Sequence, residues 1–413
     1  MDSSLTIFRF DDQTAIVQFY ITRDKLVTFI TYKTQKPIVW QSQPKDLNKF
    51  EKWVHGYLRA YKTNKDHWKR RLATRLHLLA QILHIDEIIQ QIPPECDRLI
   101  LIPYGDLHWF PLHALPITSQ QEKAKSEILM DRFPAGVSYA PTLKLLQLAQ
   151  TRKRPNFTHL FAVQNPTGNL PCTDIEVETI KHYFNQPPDT EVLVGKAATK
   201  AAIDSKPLNT YHCVHFSCHG YFNFQEPRKS ALILADAYLS PTPAELNQEQ
   251  HVVLDNGKVI DLDKCFPTNT VSGLELEQCR LVTLSACETG LMPSKSSGDY
   301  FNLTSCFLVA GSPAVVSSLS KVDDLSTALL MIKFYQNLFD QNLREQMSLA
   351  VALNQAQFWL RDSTQSKLLA WSRQLPLENS LMNKIEQKLR WFNPHQQPFK
   401  KPYYWTPFCV IGE

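Results

Sequence analysis

No apolar run in the 413-residue chain approaches the ~20 residues that a membrane-spanning helix needs, so the sequence offers no span. It has no secretory leader pattern either, because Arg9, Asp11 and Asp12 stand where an apolar core would lie. Charge of one sign is not in excess. The 44 Lys and Arg against 40 Asp and Glu leave a formal charge of +4, too mild to argue for nucleic acid or a membrane surface as partner. Nine cysteines are scattered without the spacing of a disulfide framework, so reduced thiols and a cytoplasmic protein are expected. No ~34-residue helical repeat recurs, which excludes a repeat array. Gly195-Lys196 lacks both the earlier glycine and the following Ser or Thr of a phosphate loop, so nucleotide binding through that motif is excluded.

What is present is the composition of an ordinary globular protein, long enough for two or three compact units. Residues 5–40 alternate apolar and polar in short bursts, as antiparallel strands do. From about Leu47 the period becomes helical, and Leu72, Leu76, Leu79 and Leu83 form a stripe whose opposite face carries Lys65, Lys69, Arg70, Arg71 and Arg75. That basic face has no aromatic interleaving and reads as solvated surface. Arg98 to Pro103 and Thr158 to Val163 read as buried strands. Thr173 or Asp174 is expected to cap a helix, as Asp323-Asp324 caps a later one. Asn256-Gly257 within residues 251–262 predicts a hairpin. Residues 292–298 are small and polar and read as a loop, and residues 364–400 as an insertion or docking surface.

Two strands end in reactive side chains. Leu281-Val-Thr-Leu-Ser-Ala-Cys287-Glu-Thr-Gly290 is an apolar run that stops at a cysteine and turns, placing Cys287 at the carboxyl edge where open α/β sheets bind ligands. Tyr211-His-Cys-Val-His-Phe-Ser-Cys-His219-Gly220 ends in the same manner at a histidine. Thiolate and imidazole at neighbouring strand ends make a dyad, with the N–H groups of Gly220 and Cys287 as oxyanion donors. A zinc site on His212, Cys213, His215, Cys218 and His219 is the rival chemistry. His215 and His219 share a strand face about 13 Å apart at about 3.3 Å per residue, too far for one ion, so no metal is expected and Cys213 and His215 read as core. His108 and His113, in the loop after Pro103, likewise read as structural.

At Ser217-Cys-His219-Gly220, Ser230 to Asp236, Leu284 to Gly290, Gly298-Asp299, Ala310 to Asp324 and Tyr404 to Gly412 the chain resembles the CHAT family of caspase-like cysteine peptidases. The resemblance implies an α/β fold, a mostly parallel sheet flanked by helices. It also implies an amino-terminal non-catalytic caspase-like half (1–155) and a catalytic half (156–413). By the same resemblance the loop at 292–298 is one that moves or is cut during regulation. Ser285 stands where caspases have glutamine, Glu288 where they have arginine, and Gly168 to Cys172 lack their aspartate-reading arginine, so cleavage after aspartate is not expected. Asp174, Asp236 and Asp299 are candidate acids for a basic residue before the cut, a polar or apolar residue there staying open, and Ser320 lines the cleft by resemblance. The expected function is that of a cysteine endopeptidase needing no cofactor, acting on a protein substrate and triggered by a partner protein. The alternative is a catalytically silent caspase-like docking module.

Overall fold

The computed structural model describes residues 11–33, 36–118, 126–152, 154–241, 245–254, 256–291, 302–340 and 347–413. The antiparallel start is as the alternation predicts: β1 (Thr14–Ile21) pairs with β2 (Leu26–Tyr32), and β3 (Ile38–Gln41) extends the ribbon. Behind it stand α1 (Pro44–Thr63) and α2 (Lys65–Ile82), with Leu72, Leu76, Leu79 and Leu83 buried. Asn64 divides the two helices, and its side chain accepts from the His67 N–H at 3.0 Å, a cap that fixes where α2 begins.

Eight more strands join the same sheet: β4 (Arg98–Ile102), β5 (Val137–Tyr139), β6 (Leu160–Gln164), β7 (Thr190–Val194), β8 (Cys213–Ser217), β9 (Leu281–Ser285), β10 (Ala314–Ser318) and β11 (Phe408–Gly412). Their order is β3-β2-β1-β4-β5-β11-β10-β9-β8-β6-β7. Seven of the ten pairings are parallel, the exceptions being those within β1–β3 and between β10 and β11. Strands covered on both faces need apolar side chains on both, which is why β4, β6 and β9 read as continuous runs rather than alternations. The last strand, β11, sits between β5 and β10, so strands from before and after residue 155 share one sheet.

Helices of eight or more residues follow in order: α3 (Leu143–Gln150), α4 (Thr173–Ile180), α5 (Leu303–Ala310), α6 (Asp324–Leu338), α7 (Leu349–Asp362), α8 (Gln365–Ser372) and α9 (Asn379–Leu389). No described helix is long and apolar enough to cross a membrane. Asp323 caps α6 as expected, accepting from the Ser326 N–H at 3.0 Å. The start of α4 differs. Its N-cap residue is Cys172, and the acceptor comes from another helix: Asp324 Oδ2 takes the Cys172 N–H at 3.2 Å, while the Thr173 hydroxyl turns back to the Leu170 carbonyl.

The strand expected to run into His219 is two strands. β8 stops at Ser217, and His219–Tyr221 pairs antiparallel with Ala231–Ile233 in a separate small sheet. The hairpin forms between His251–Val253 and Val259–Asp261, with Gly257 at φ 78°, a left-handed turn that glycine adopts without strain. It shares an apolar cluster, including Val252 and Ile260, with Ala231 and Ile233. Burial pushes the imidazoles of His108 and His113 down to about 3, and the Tyr139 hydroxyl lies 2.8 Å from Nδ1 of His113, so both histidines sit in the core. Residues 292–298 and Asp299 lie outside the described residues.

Candidate active site

β8 and β9 pair in parallel with Ser217 opposite Ser285. His219 and Cys287 each stand two residues beyond that pair, so equal advances past one register point carry both to the same sheet edge. Gly220 then packs on the Cys287 backbone: a Cβ there would lie 2.2 Å from the Cys287 carbonyl oxygen and 3.0 Å from Cγ2 of Thr289. Glycine is required here for close approach, since only a residue without a side chain fits. All nine cysteines are free thiols, and Cys287 alone is not buried.

The pair rests neutral. Burial pushes the Cys287 thiol up to about 11, with the Glu288 carboxylate adding to the rise; the Val322 N–H directed at the sulfur and the Lys321 and Lys65 ammonium groups oppose it. Burial also holds the His219 imidazole below its usual range, and the positive charges of Lys258 and Lys321 act in the same direction. At neutral pH the structure therefore presents a thiol and an uncharged imidazole, rather than the thiolate that the bare dyad argument led one to expect. Lys258 lies in the predicted hairpin, which brings that element within electrostatic reach of the histidine.

Sequence reasoning missed Asn169. Its Oδ1 accepts from His219 Nε2 at 2.8 Å and from the Thr167 hydroxyl at 2.7 Å. An amide oxygen only accepts, so Nε2 carries the ring proton and Nδ1 keeps its lone pair, the form a general base needs. Asn165 and Gly168, both at positive φ, shape the loop that presents Asn169.

A row of polar groups lies under this edge. Gln164, Ser217 and Ser285 are in register across β6, β8 and β9, so their side chains share one face. All three are buried, and among the described residues Gln164 Oε1 and both hydroxyls have no hydrogen-bond partner. Gln164 Nε2 donates to Asp174 Oδ1 at 3.1 Å, and Lys384 of α9 stands 3.7 Å from Asp174 Oδ2. Asp174 thus adjoins the row but is already paired with a cation from residues 364–400. Asp236 is exposed in a left-handed turn (φ 62°) beyond Ala231–Ile233. Ser320 is buried, and its carbonyl lies 3.4 Å from the Glu288 amide.

Deeper on the same face, His215 Nε2 meets Glu176 Oε1 at 2.8 Å, both side chains being buried. The Tyr335 hydroxyl lies 3.2 Å from His215 Nδ1, 2.8 Å from Thr283 Oγ1 and 3.1 Å from Cys213 Sγ. Cys213 and His215 therefore belong to a core network of α4, α6, β8 and β9. Among the described residues no group of three or more His, Cys, Asp or Glu is placed to hold a metal ion.

A largely parallel sheet between helices, with cysteine and histidine just past the carboxyl ends of two adjacent central strands, defines a caspase-like α/β fold. The chain belongs to the CHAT family: the model of the CHAT domain matches residues 72–413. Its fold is similar to that of separase in the Saccharomyces cerevisiae separase–securin complex, at 9% identity and a TM-score of 0.52 over 97% of this chain and 30% of that one. It thus spans less than a third of that protein. A second similar structure is the Arg-specific cysteine proteinase gingipain R, at 10% identity and a TM-score of 0.41, over 81% of this chain and 67% of that one. No curated protein matches the sequence.

Proposed function

We propose that the chain is a cysteine endopeptidase using Cys287 and His219. The observation that carries this reading is the register of β8 and β9, which brings a half-buried cysteine and a histidine oriented by Asn169 to one edge, with Gly220 against the cysteine's carbonyl. In the reaction Cys287 Sγ attacks the scissile carbonyl as its proton passes to His219. The N–H groups of Gly220 and Cys287 stabilise the oxyanion. His219 then protonates the departing amine, and water hydrolyses the thioester to free the enzyme.

The neutral resting pair supports a chain that is slow until a partner protein alters the site, because a thiol held near 11 is almost wholly protonated at pH 7. The same neutrality favours the second reading, a silent docking module. The unpartnered oxygens of Gln164, Ser217 and Ser285 suit a polar side chain before the cut, one whose N–H groups satisfy Gln164 Oε1. Asp174 adds preference for a basic residue if Lys384 yields it.

Incubating the chain and candidate partner proteins with a peptide library varied before the cut tests this. Cleavage after Arg, Lys or Gln is expected, vanishing in Cys287→Ala and falling about 10²–10⁴-fold in His219→Ala. Lys384→Ala is expected to raise kcat/KM for basic residues about 2–5-fold over glutamine, the worth of one half-exposed ion pair. No cleavage with any partner favours the docking module.

A further inference from the structure

One link in the site joins it to the amino-terminal segment. Tyr61, near the end of α1, is buried, with its ring set edge-on to Trp68 at 4.9 Å. Its hydroxyl donates to Glu288 Oε1 at 2.5 Å and accepts from the Lys321 N–H at 2.9 Å. These two partners belong to the two backbone segments that flank the nucleophile. Glu288 follows Cys287 directly and sits in the left-handed region at φ 61°, a conformation a glutamate holds only when its surroundings fix it. Lys321 precedes Val322, whose N–H is directed at the Cys287 sulfur. One phenol therefore holds the turn after the cysteine, across 227 residues of chain, and the residue just before the amide that favours its thiolate.

We propose that the Tyr61 hydroxyl is a positioning group for Cys287, so that the placement of α1 sets the reactivity of the thiol. The proposal rests on the reading of Cys287 as the nucleophile. With Tyr61 in place, the carboxylate of Glu288 shares its charge with a donor, and the Val322 amide stays aligned on the sulfur. Without the hydroxyl, the Glu288 carboxylate loses that donor beside the thiol, and the segment carrying the Val322 amide loses the anchor at Lys321. Both changes disfavour the thiolate, so they act in one direction. The other groups that face Cys287 electrostatically are Lys321, Lys65, Tyr403 and Cys218, with His219 on the neighbouring strand end. None of them is removed by the substitution. A movement of α1, whatever drives it, would then be felt at the cysteine through this contact.

The test compares wild type, Tyr61→Phe and Tyr57→Phe as full chains, following iodoacetamide alkylation of Cys287 by peptide mass from pH 6 to 10. Tyr61→Phe is expected to alkylate about tenfold more slowly at each pH, its curve displaced upward by about one unit. Tyr57→Phe, which loses a hydroxyl one turn earlier on the same helix, is expected to follow wild type. Glu288→Gln probes the link from its other end: removing the carboxylate charge should move the curve downward, and Tyr61→Phe in that background should lose at least half its effect. The proposal is overturned if Tyr61→Phe leaves the curve in place or displaces it downward. Should Tyr61→Phe fail to fold, an unmoved curve in Glu288→Gln overturns it equally. Alkylation reads the thiol itself, so a chain that cuts no peptide still gives an answer about Tyr61.

Discussion

Gly220→Ala is expected to destroy the site while leaving most of the sheet intact. The added methyl would stand 2.2 Å from the Cys287 carbonyl oxygen, well inside van der Waals contact, and the atom it meets is backbone held just past a central strand. No rotamer change relieves such a clash, so either His219–Tyr221 or the Cys287 turn must move by about 1 Å. A displacement of that size costs on the order of 10²-fold in a reaction that depends on near-attack geometry. Overpacking of this kind also costs roughly 1–3 kcal/mol of stability. Thermal unfolding and Cys287 alkylation, measured together, separate the two effects. Wild-type alkylation and an unchanged midpoint in Gly220→Ala would show that the histidine strand does not rest on the Cys287 carbonyl.

Glu176→Leu is expected to have the largest effect on stability. Glu176 and His215 form a buried pair at 2.8 Å, and the Tyr335 hydroxyl ties the imidazole to Thr283 and Cys213. Removing Glu176 strands His215 Nε2 away from solvent, since the Tyr335 hydroxyl reaches only Nδ1, and breaking a buried pair in this way costs about 3–5 kcal/mol. For a chain of 413 residues that corresponds to a fall of roughly 3–6 °C in the unfolding midpoint. The loss belongs to the stranded partner more than to the pair itself, so Glu176→Leu combined with His215→Leu should recover at least half of it. A single substitution costing under about 1 kcal/mol would mean that His215 finds another partner, and the network would not be the rigid floor of the site.

How much of this was legible in the sequence depends on the range of the interactions. β9 and β8 could be read because strands buried on both faces must be apolar throughout, and Cys287 and His219 because they interrupt such runs at a turn. Asn256-Gly257 was legible as a hairpin because its signal is contained in two residues. The start of α4 was not: the local Thr173 and Asp174 lost to Asp324, which reaches the Cys172 amide from another helix 152 residues away. The break between β8 and His219 carries no local signal, since Cys218 turns the chain with neither Gly nor Pro before it. Asn169, Tyr61 and Lys384 were invisible for the same reason as Asp324. Each acts on a residue far along the chain, and only the folded sheet brings Asn169 to His219, Tyr61 to Glu288 and Lys384 to Asp174.

The central claim is that Cys287 is a nucleophile assembled with His219. It is tested most directly by the rate at which iodoacetamide alkylates each of the nine cysteines, read by peptide mass, in wild type and His219→Ala, with and without candidate partner proteins. The account predicts that Cys287 reacts first, because the other eight thiols are buried, and that a partner speeds it in a manner that requires His219. Alkylation of Cys287 no faster than that of the buried cysteines, or indifferent to His219 under every condition, would contradict it.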